Sequence, residues 1–221
     1  MQSNQYSNIH VVLGNEACDL DSVVSAIVYA YCLHKMTTEE CKTGISKPVI
    51  PVLNIPREDY RLRTEITYTM ERFGVHSTDL TFINEIDLKA MKDHGKLSVT
   101  LVDHNIIPVH QAFLNDVLVE IIDHHKDEIP SSPNYSKTIE LVGSCSTLVA
   151  EKVLRIAPDV LDAQATSLLL AAILLDTINL DPRAGRMTEK DVAIVDQLKK
   201  CLKSDITSDE LYLAVSRGKF G

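Results

Sequence analysis

The sequence predicts an open, mostly parallel α/β sheet with helices on both faces. Three observations carry that prediction. Short apolar runs alternate along the chain with longer segments of helical periodicity, as a parallel sheet with crossover helices requires. The runs are continuously apolar, as in strands covered on both faces. Finally, Ile9 to Leu13 stops at Gly14, passes through a short polar loop holding Asp19 and Asp21, and enters an apolar helical pattern from Val23 to Leu33. Strand, acidic loop and helix in that order build a ligand or metal site at the carboxyl edge of a strand.

In chain order, His10 to Leu13 is the first strand. Asp21 or Ser22 can cap the next helix, whose Ala26, Ile27, Ala30 and Leu33 share one face. Thr37 to Lys47 reads as a polar loop. Val49 to Leu53 is a second strand, placed near the sheet edge by Pro51. Glu58 to Phe73 is helical and ends at Gly74. Leu80 to Ile83 is a short strand, and Asp87 caps a short helix that closes at Gly95. Leu97 to Val102 is the strongest strand in the middle of the chain. After Pro108, a short helix around Gln111 to Asn115 precedes a strand at Val117 to Ile122. Lys126 to Ser136, with its prolines and serines, is a loop. Ile139 to Val142 reads as a strand running into Gly143-Ser144-Cys145-Ser146-Thr147, and the following helix ends at Ile156, before Pro158. Ala163 to Leu175 is apolar nearly all round, which marks a buried helix. Thr188 to Leu202 is amphipathic and opens on a capping box, Thr188-Glu189-Lys190-Asp191. Ser208 to Ser216 is a last short helix.

Hydrophobic residues make up 45% of the 221, enough for a core, so wholesale disorder is excluded. With no Trp and four Phe that core is aliphatic. The formal charge of −9 argues against a nucleic-acid-binding surface. It leaves room for an anionic substrate, because bound cations invert the local field. The five cysteines form no CxxC pair and are odd in number, which fits a reducing compartment. No apolar stretch reaches the roughly 18 residues of a membrane span, and Met1 to Asn8 lacks an apolar signal core. A cytoplasmic protein without membrane contact is expected.

The chemistry lies in acids at the ends of apolar runs. Asp19 and Asp21 can straddle a point in a tight loop and feed adjacent cations, with Asn15 offering an amide oxygen nearby. They read equally as a helix cap with solvated acids. Asp103 ends Val99 to Val102, Asp123 ends Val119 to Ile122, and Asp176 ends Ala172 to Leu175. An anion at the end of a buried strand needs a partner. Asp103 is well placed to bridge metals, while Asp176 reads also as a turn or cap. His124 and His125 add imidazoles beside these acids. Carboxylates with a few imidazoles suit Mg²⁺ or Mn²⁺ better than a thiolate zinc site. A pair of such ions would polarise a phosphoryl group and generate hydroxide from a bridging water.

The ordered set Asn15-x-x-x-Asp19-x-Asp21-Ser22, Val102-Asp103-His104-Asn105, Asp123-His124-His125, Gly143 to Thr147 and Leu175-Asp176-Thr177 resembles the DHH phosphoesterase superfamily. Within it, Val11 to Ser22 and Pro51 to Arg57 resemble the Prune-type exopolyphosphatases, which are similar to family II inorganic pyrophosphatases. The resemblance implies a DHH domain over 1–203, and a linker with the start of a truncated C-terminal (DHHA2) domain over 204–221. It implies cleavage of short-chain polyphosphate through two cations, Mg²⁺ or Mn²⁺/Co²⁺, and permits cyclic-nucleotide phosphodiesterase activity. Asp21, Asp103, His124 and Asp176 would hold one cation. Asn15, Asp19 and Asp103 would surround the other. His104 and His125 match positions near the substrate phosphate, and with Asp103 form the expected catalytic set. Asp123 would orient a histidine, and Ser144 and Ser146 lie in a turn beside the site. The pyrophosphatases begin their first motif with histidine. Asn15, a harder and weaker ligand, implies a preference for Mg²⁺.

The DHHA2 lobe of that family supplies basic residues to the outer phosphates. Arg183 and Arg186 follow Asp176 but are not assigned its role. Without that lobe the chain is expected to bind metal and turn over slowly, because positioning is a large part of phosphoryl transfer. The alternative is a catalytically weak interaction module, since the resemblance also implies a nucleoside-diphosphate kinase partner. A Rossmann-like nucleotide binder is disfavoured by the lack of GxGxxG and of a P-loop lysine.

Overall fold

The computed structural model describes residues 8–40, 47–202 and 207–220. Six strands form one sheet in the order β3-β2-β1-β4-β5-β6, every neighbouring pair parallel. They are β1 (Ile9–Leu13), β2 (Val49–Leu53), β3 (Thr81–Phe82), β4 (Leu97–Val102), β5 (Leu118–Asp123) and β6 (Ser136–Ile139). Seven α-helices follow in chain order: α1 (Leu20–Glu40), α2 (Thr64–Arg72), α3 (Leu88–Asp93), α4 (Cys145–Ile156), α5 (Ala163–Asp176), α6 (Glu189–Leu202) and α7 (Ser208–Phe220). The expected open α/β sheet covered on both faces is therefore present.

Side chains alternate across a strand, so each strand feeds two cores. Val12, Leu53, Val102 and Ile122 pack under α1, α2, α4 and α5. Val11, Leu13, Val99, Leu101 and Ile121 pack on the opposite face with Leu88 and Leu114. Leu211 and Val215 of α7 join the first core, and α7 lies on α2 and α5. Strand order reverses between β1 and β4. That switch point opens a crevice at the carboxyl ends of those two strands, where open α/β sheets place their ligands.

Several boundaries differ from the sequence expectation. Helix α1 begins at Leu20, because Asp19 is the cap: its Oδ1 accepts the Ser22 N–H at 3.0 Å. Asp21 and Ser22 thus lie inside the first turn. The helix runs on to Glu40, through the start of the expected loop, with the Thr37 and Thr38 hydroxyls bonded back to the His34 and Lys35 carbonyls; residues 41–46 lie outside the described residues. The helix expected over 58–73 is broken at Arg63, between a 3₁₀ turn at Arg57–Leu62 and α2. Around 111–115 the chain is a 3₁₀ run over Val109–Val117. Pro51 sits one strand in from the edge. Val52 turns its carbonyl to Gly14 of the β1 side, so residue 51 faces β3, which pairs only Val52 and Leu53. No ladder bond is lost to the proline.

The strand expected over 139–142 lies three residues earlier. Ile139 pairs with Asp123, where β5 ends, and residues 141–143 leave the sheet to wall the crevice.

Candidate metal centre

Loops after β1, β4 and β5 and the end of α5 converge on a cavity of about 520 Å³. Asn15, Asp19, Asp21, Asp103, His124, His125 and Asp176 all line it, so the carboxylates and imidazoles expected from the sequence meet. His104 is not on the cavity wall. Its Nδ1 lies 2.9 Å from the Val102 carbonyl, its Nε2 is buried without a partner among the described residues, and burial holds its pKa down.

Asp103 is central and almost fully buried. It follows β4 in a left-handed conformation, φ 63°. Aspartate tolerates that region better than most residues, and strain of this kind concentrates at functional sites. The turn brings Asp103 Oδ1 to 3.2 Å from His124 Nε2 and 3.9 Å from His125 Nδ1. Ligand atoms of these three residues lie within 4.8 Å of one another.

The histidines are aimed by their other contacts. His124 Nδ1 lies 3.1 Å from the Val142 carbonyl, so that nitrogen carries the proton and Nε2 faces Asp103 and, at 3.7 Å, Asp21. His125 Nδ1 is 2.8 Å from Asp123 Oδ1. Asp123 is fully buried and is itself held by the Asn105 amide at 2.5 Å. Asp123 thus orients His125.

Asp21 is held by the start of α4. The Cys145 N–H donates to its Oδ2 at 2.6 Å, and the Ser146 N–H and hydroxyl donate to its Oδ1 at 2.7 and 2.6 Å. The anion served by this helix N-terminus is therefore the protein's own carboxylate. The buried Ser144 hydroxyl faces the Asp176 carboxyl and opposes the rise in its pKa. Asn15 donates from Nδ2 to Asp103 Oδ2 at 2.7 Å, and its Oδ1 accepts the Cys18 N–H at 2.8 Å. As placed, the amide turns its nitrogen toward the acids.

Two residues to which the sequence assigned no part in the site support or line the wall. Asp191, fully buried in α6, accepts the Gly143 N–H (2.9 Å), the Thr188 N–H (2.7 Å), the Thr188 hydroxyl (2.7 Å) and the Thr147 hydroxyl (2.6 Å). Its capping box was legible, but its ties to Gly143 and Thr147, more than forty residues away, were not. Gly143 has no room for a side chain: a Cβ there would lie 2.5 Å from Thr177 Cγ2 and 2.6 Å from the Arg186 carbonyl. Arg186 also lines the cavity, and only its nearness to Asp176 in sequence hinted at that.

The electrostatics call for cations. Burial raises the Asp103 carboxyl to about 8, with the Asp21 charge adding and His124 opposing. Asp176 is pushed well above the carboxylate range, first by burial and then by Asp21, Asp19 and Asp103. It also ends α5, where the helix dipole disfavours an anion. Asp19, at the rim, is raised by burial and by Asp21. Burial lowers the His124 imidazole, but the Asp103 hydrogen bond and the Asp21 and Asp103 charges outweigh it and carry it to about 10. Asp103 Oδ1 meets only the imidazoles of His124 and His125, and the one hydroxyl beside Asp176, that of Ser144, does not offset its burial. Crowded, buried anions and nearby imidazoles fit divalent metal.

A pH prediction follows. Without metal, the folded site holds protons that the unfolded chain has lost, for Asp103 up to about 8 and for His124 up to about 10. Both contributions are complete at low pH and fade as pH rises through those values. Thermal melts in chelator should therefore show a Tm that falls from pH 6 to pH 9. Added Mn²⁺ should stabilise more at pH 8 than at pH 6, because binding expels the protons. A chelated Tm that rises across this range would contradict the assignment.

The sequence model of the DHH family, N-terminal domain, matches residues 10–173. Exopolyphosphatase PRUNE1 of Bos taurus is 39% identical over 212 residues, which cover 96% of this chain and 46% of that protein. A manganese-dependent inorganic pyrophosphatase of Methanothrix thermoacetophila is 28% identical over 201 residues, covering 90% of this chain and 56% of that protein. The chain thus spans about half the length of these curated relatives. Among solved structures, a Methanococcus jannaschii protein assigned to the family II inorganic pyrophosphatases superposes with a TM-score of 0.68 at 23% identity, covering 96% of this chain and 61% of that one. That last likeness concerns the fold. Among the described residues, no helix is long and apolar enough to cross a membrane.

Proposed function

The chain belongs to the DHH family, and on that premise we propose that it is a metal-dependent phosphohydrolase that cleaves phosphoanhydride bonds of short polyphosphates. The observation that supports this reading most is the convergence of Asp19, Asp21, Asp103, His124 and Asp176, from separate segments of the chain, on one cavity. Asp21, Asp103, His124 and Asp176 would hold one divalent cation, and Asp19 and Asp103 would hold a second. Cations there, Mg²⁺ or Mn²⁺, supply charge neutralisation for the phosphoryl group and an acidified water. The protein's own residues do the rest. Cys145 and Ser146 fix the Asp21 carboxylate. The Asn15 amide steadies Asp103, and must turn over before its oxygen can reach a cation. Asp123 fixes His125 through Nδ1, leaving Nε2 to meet a phosphoryl oxygen or hand a proton to the departing phosphate.

Phosphate release from tripolyphosphate, tetraphosphate and cyclic AMP, measured on the full-length protein with each metal in turn, tests the proposal. Turnover of both polyphosphates is expected, with Mg²⁺ at least matching Mn²⁺ and Co²⁺, because an amide oxygen at position 15 is a harder and weaker ligand than imidazole. No release with any metal would sink the function. A severalfold advantage for Mn²⁺ or Co²⁺ would sink the metal preference, and faster cleavage of cyclic AMP would make this a phosphodiesterase.

A further inference from the structure

Asp19, Asp21, Asp103 and Asp176 share their cavity with one arginine, Arg186, and with no lysine among the described lining residues. Arg186 is exposed, and neither an ion pair nor a side-chain hydrogen bond ties it down among the described residues. Arg183, three residues earlier, differs: it is bonded to Asp181 at 2.7 Å and points into solvent, 89% exposed.

The backbone beneath Arg186 is anchored. Gly185 takes a left-handed turn, φ 63°, that a side chain would resist. The Arg186 carbonyl lies against Gly143, and Thr188 is pinned to Asp191, which also grips Gly143. A free guanidinium is thus mounted on the same wall that positions Asp21. Cations answer the carboxylates deeper in the cavity, which leaves the guanidinium for an arriving anion. Guanidinium matches phosphate oxygens through paired N–H donors.

Resting on the phosphohydrolase reading above, we infer that Arg186 binds the phosphoryl group next to the one that reacts, and so makes the site select oligophosphates over compounds with a single phosphorus. A monoester or a cyclic nucleotide presents no neighbouring phosphoryl group to this side chain.

Calorimetry on the 221-residue chain with Mn²⁺ tests this with two non-hydrolysable probes, methylenediphosphonate and methylphosphonate. Arg186→Ala should weaken the diphosphonate by about tenfold or more, the scale of a lost charge-assisted hydrogen bond, and change the monophosphonate and Mn²⁺ affinities less than about twofold. Arg186→Lys should recover part of the loss, and Arg183→Ala should lose nothing. Unchanged diphosphonate binding in Arg186→Ala, an equal loss of both probes, or a loss of Mn²⁺ affinity would each overturn the assignment. If the wild-type chain binds Mn²⁺ but neither probe, the phosphohydrolase reading falls with it. If the wild type binds both probes and Arg186→Ala does too, only the role of Arg186 falls.

Discussion

Asp103→Asn is expected to abolish tight divalent-metal binding while leaving the fold intact. The substitution keeps shape, and asparagine accepts the left-handed conformation at φ 63° as readily as aspartate. What it removes is the charge that the two proposed cations would share. Changing residues that merely orient metal ligands costs about ten- to a hundredfold in affinity. Loss of the shared ligand itself should exceed that, and phosphate release should vanish with it. The metal-free chain should respond in the opposite direction. Burial and Asp21 hold the Asp103 carboxyl up at about 8. Above that pH the wild type must carry a charge that its surroundings disfavour. In chelator, Asp103→Asn should therefore be more stable than wild type, by at least about 1 kcal/mol at pH 9 and by less at pH 6, the two converging only as pH falls toward the ordinary carboxylate value. Titration calorimetry and paired melts read both halves of this prediction. Mn²⁺ affinity unchanged by the substitution would remove Asp103 from the site.

Asp191→Ala should be the most destabilising single change behind the cavity wall. It leaves the Gly143 and Thr188 N–H groups and the Thr147 and Thr188 hydroxyls facing a hole. Each buried donor left unpaired costs about 1–3 kcal/mol, so the loss should reach several kcal/mol. Denaturant unfolding of the metal-free chain should show a loss of that size. The effect should also reach the metals. Asp191 fixes the Gly143 to Thr147 turn, and the next two N–H groups of that turn hold Asp21. Metal affinity should drop by about ten- to a hundredfold, as for other residues that orient ligands. Asp191→Asn, which keeps one acceptor oxygen, should lose less of both. A stability loss below about 1 kcal/mol for the alanine variant would show that water or local repacking satisfies these donors.

The main features of this molecule are written locally in the sequence, and its refinements are not. Leu97 to Val102 was legible to the residue because a continuous apolar run of strand length has little else to become. The acids at 103 and 176 stood out because they end such runs. The start of α1 was harder to read. Asp19, Asp21 and Ser22 can each cap a helix, while the apolar pattern that betrays the helix begins only at Val23. The last strand was misplaced because Leu141 and Val142 look like strand residues, yet they wall the cavity beyond the point where β5 can pair. Asn15 was recognisable as a site residue, but the residue type does not reveal which end of the amide faces the acids. Asp191 acts through partners distant in sequence, and spacing carries no trace of such contacts; nor does it show that Arg186 reaches the cavity.

Anomalous scattering from crystals grown with Mn²⁺ tests the shared carboxylate most directly. Two peaks flanking Asp103 are expected, one also within ligand distance of Asp21, His124 and Asp176, the other of Asp19. A single peak that Asp103 does not touch, or Mn²⁺ bound only outside this cavity, would contradict that arrangement.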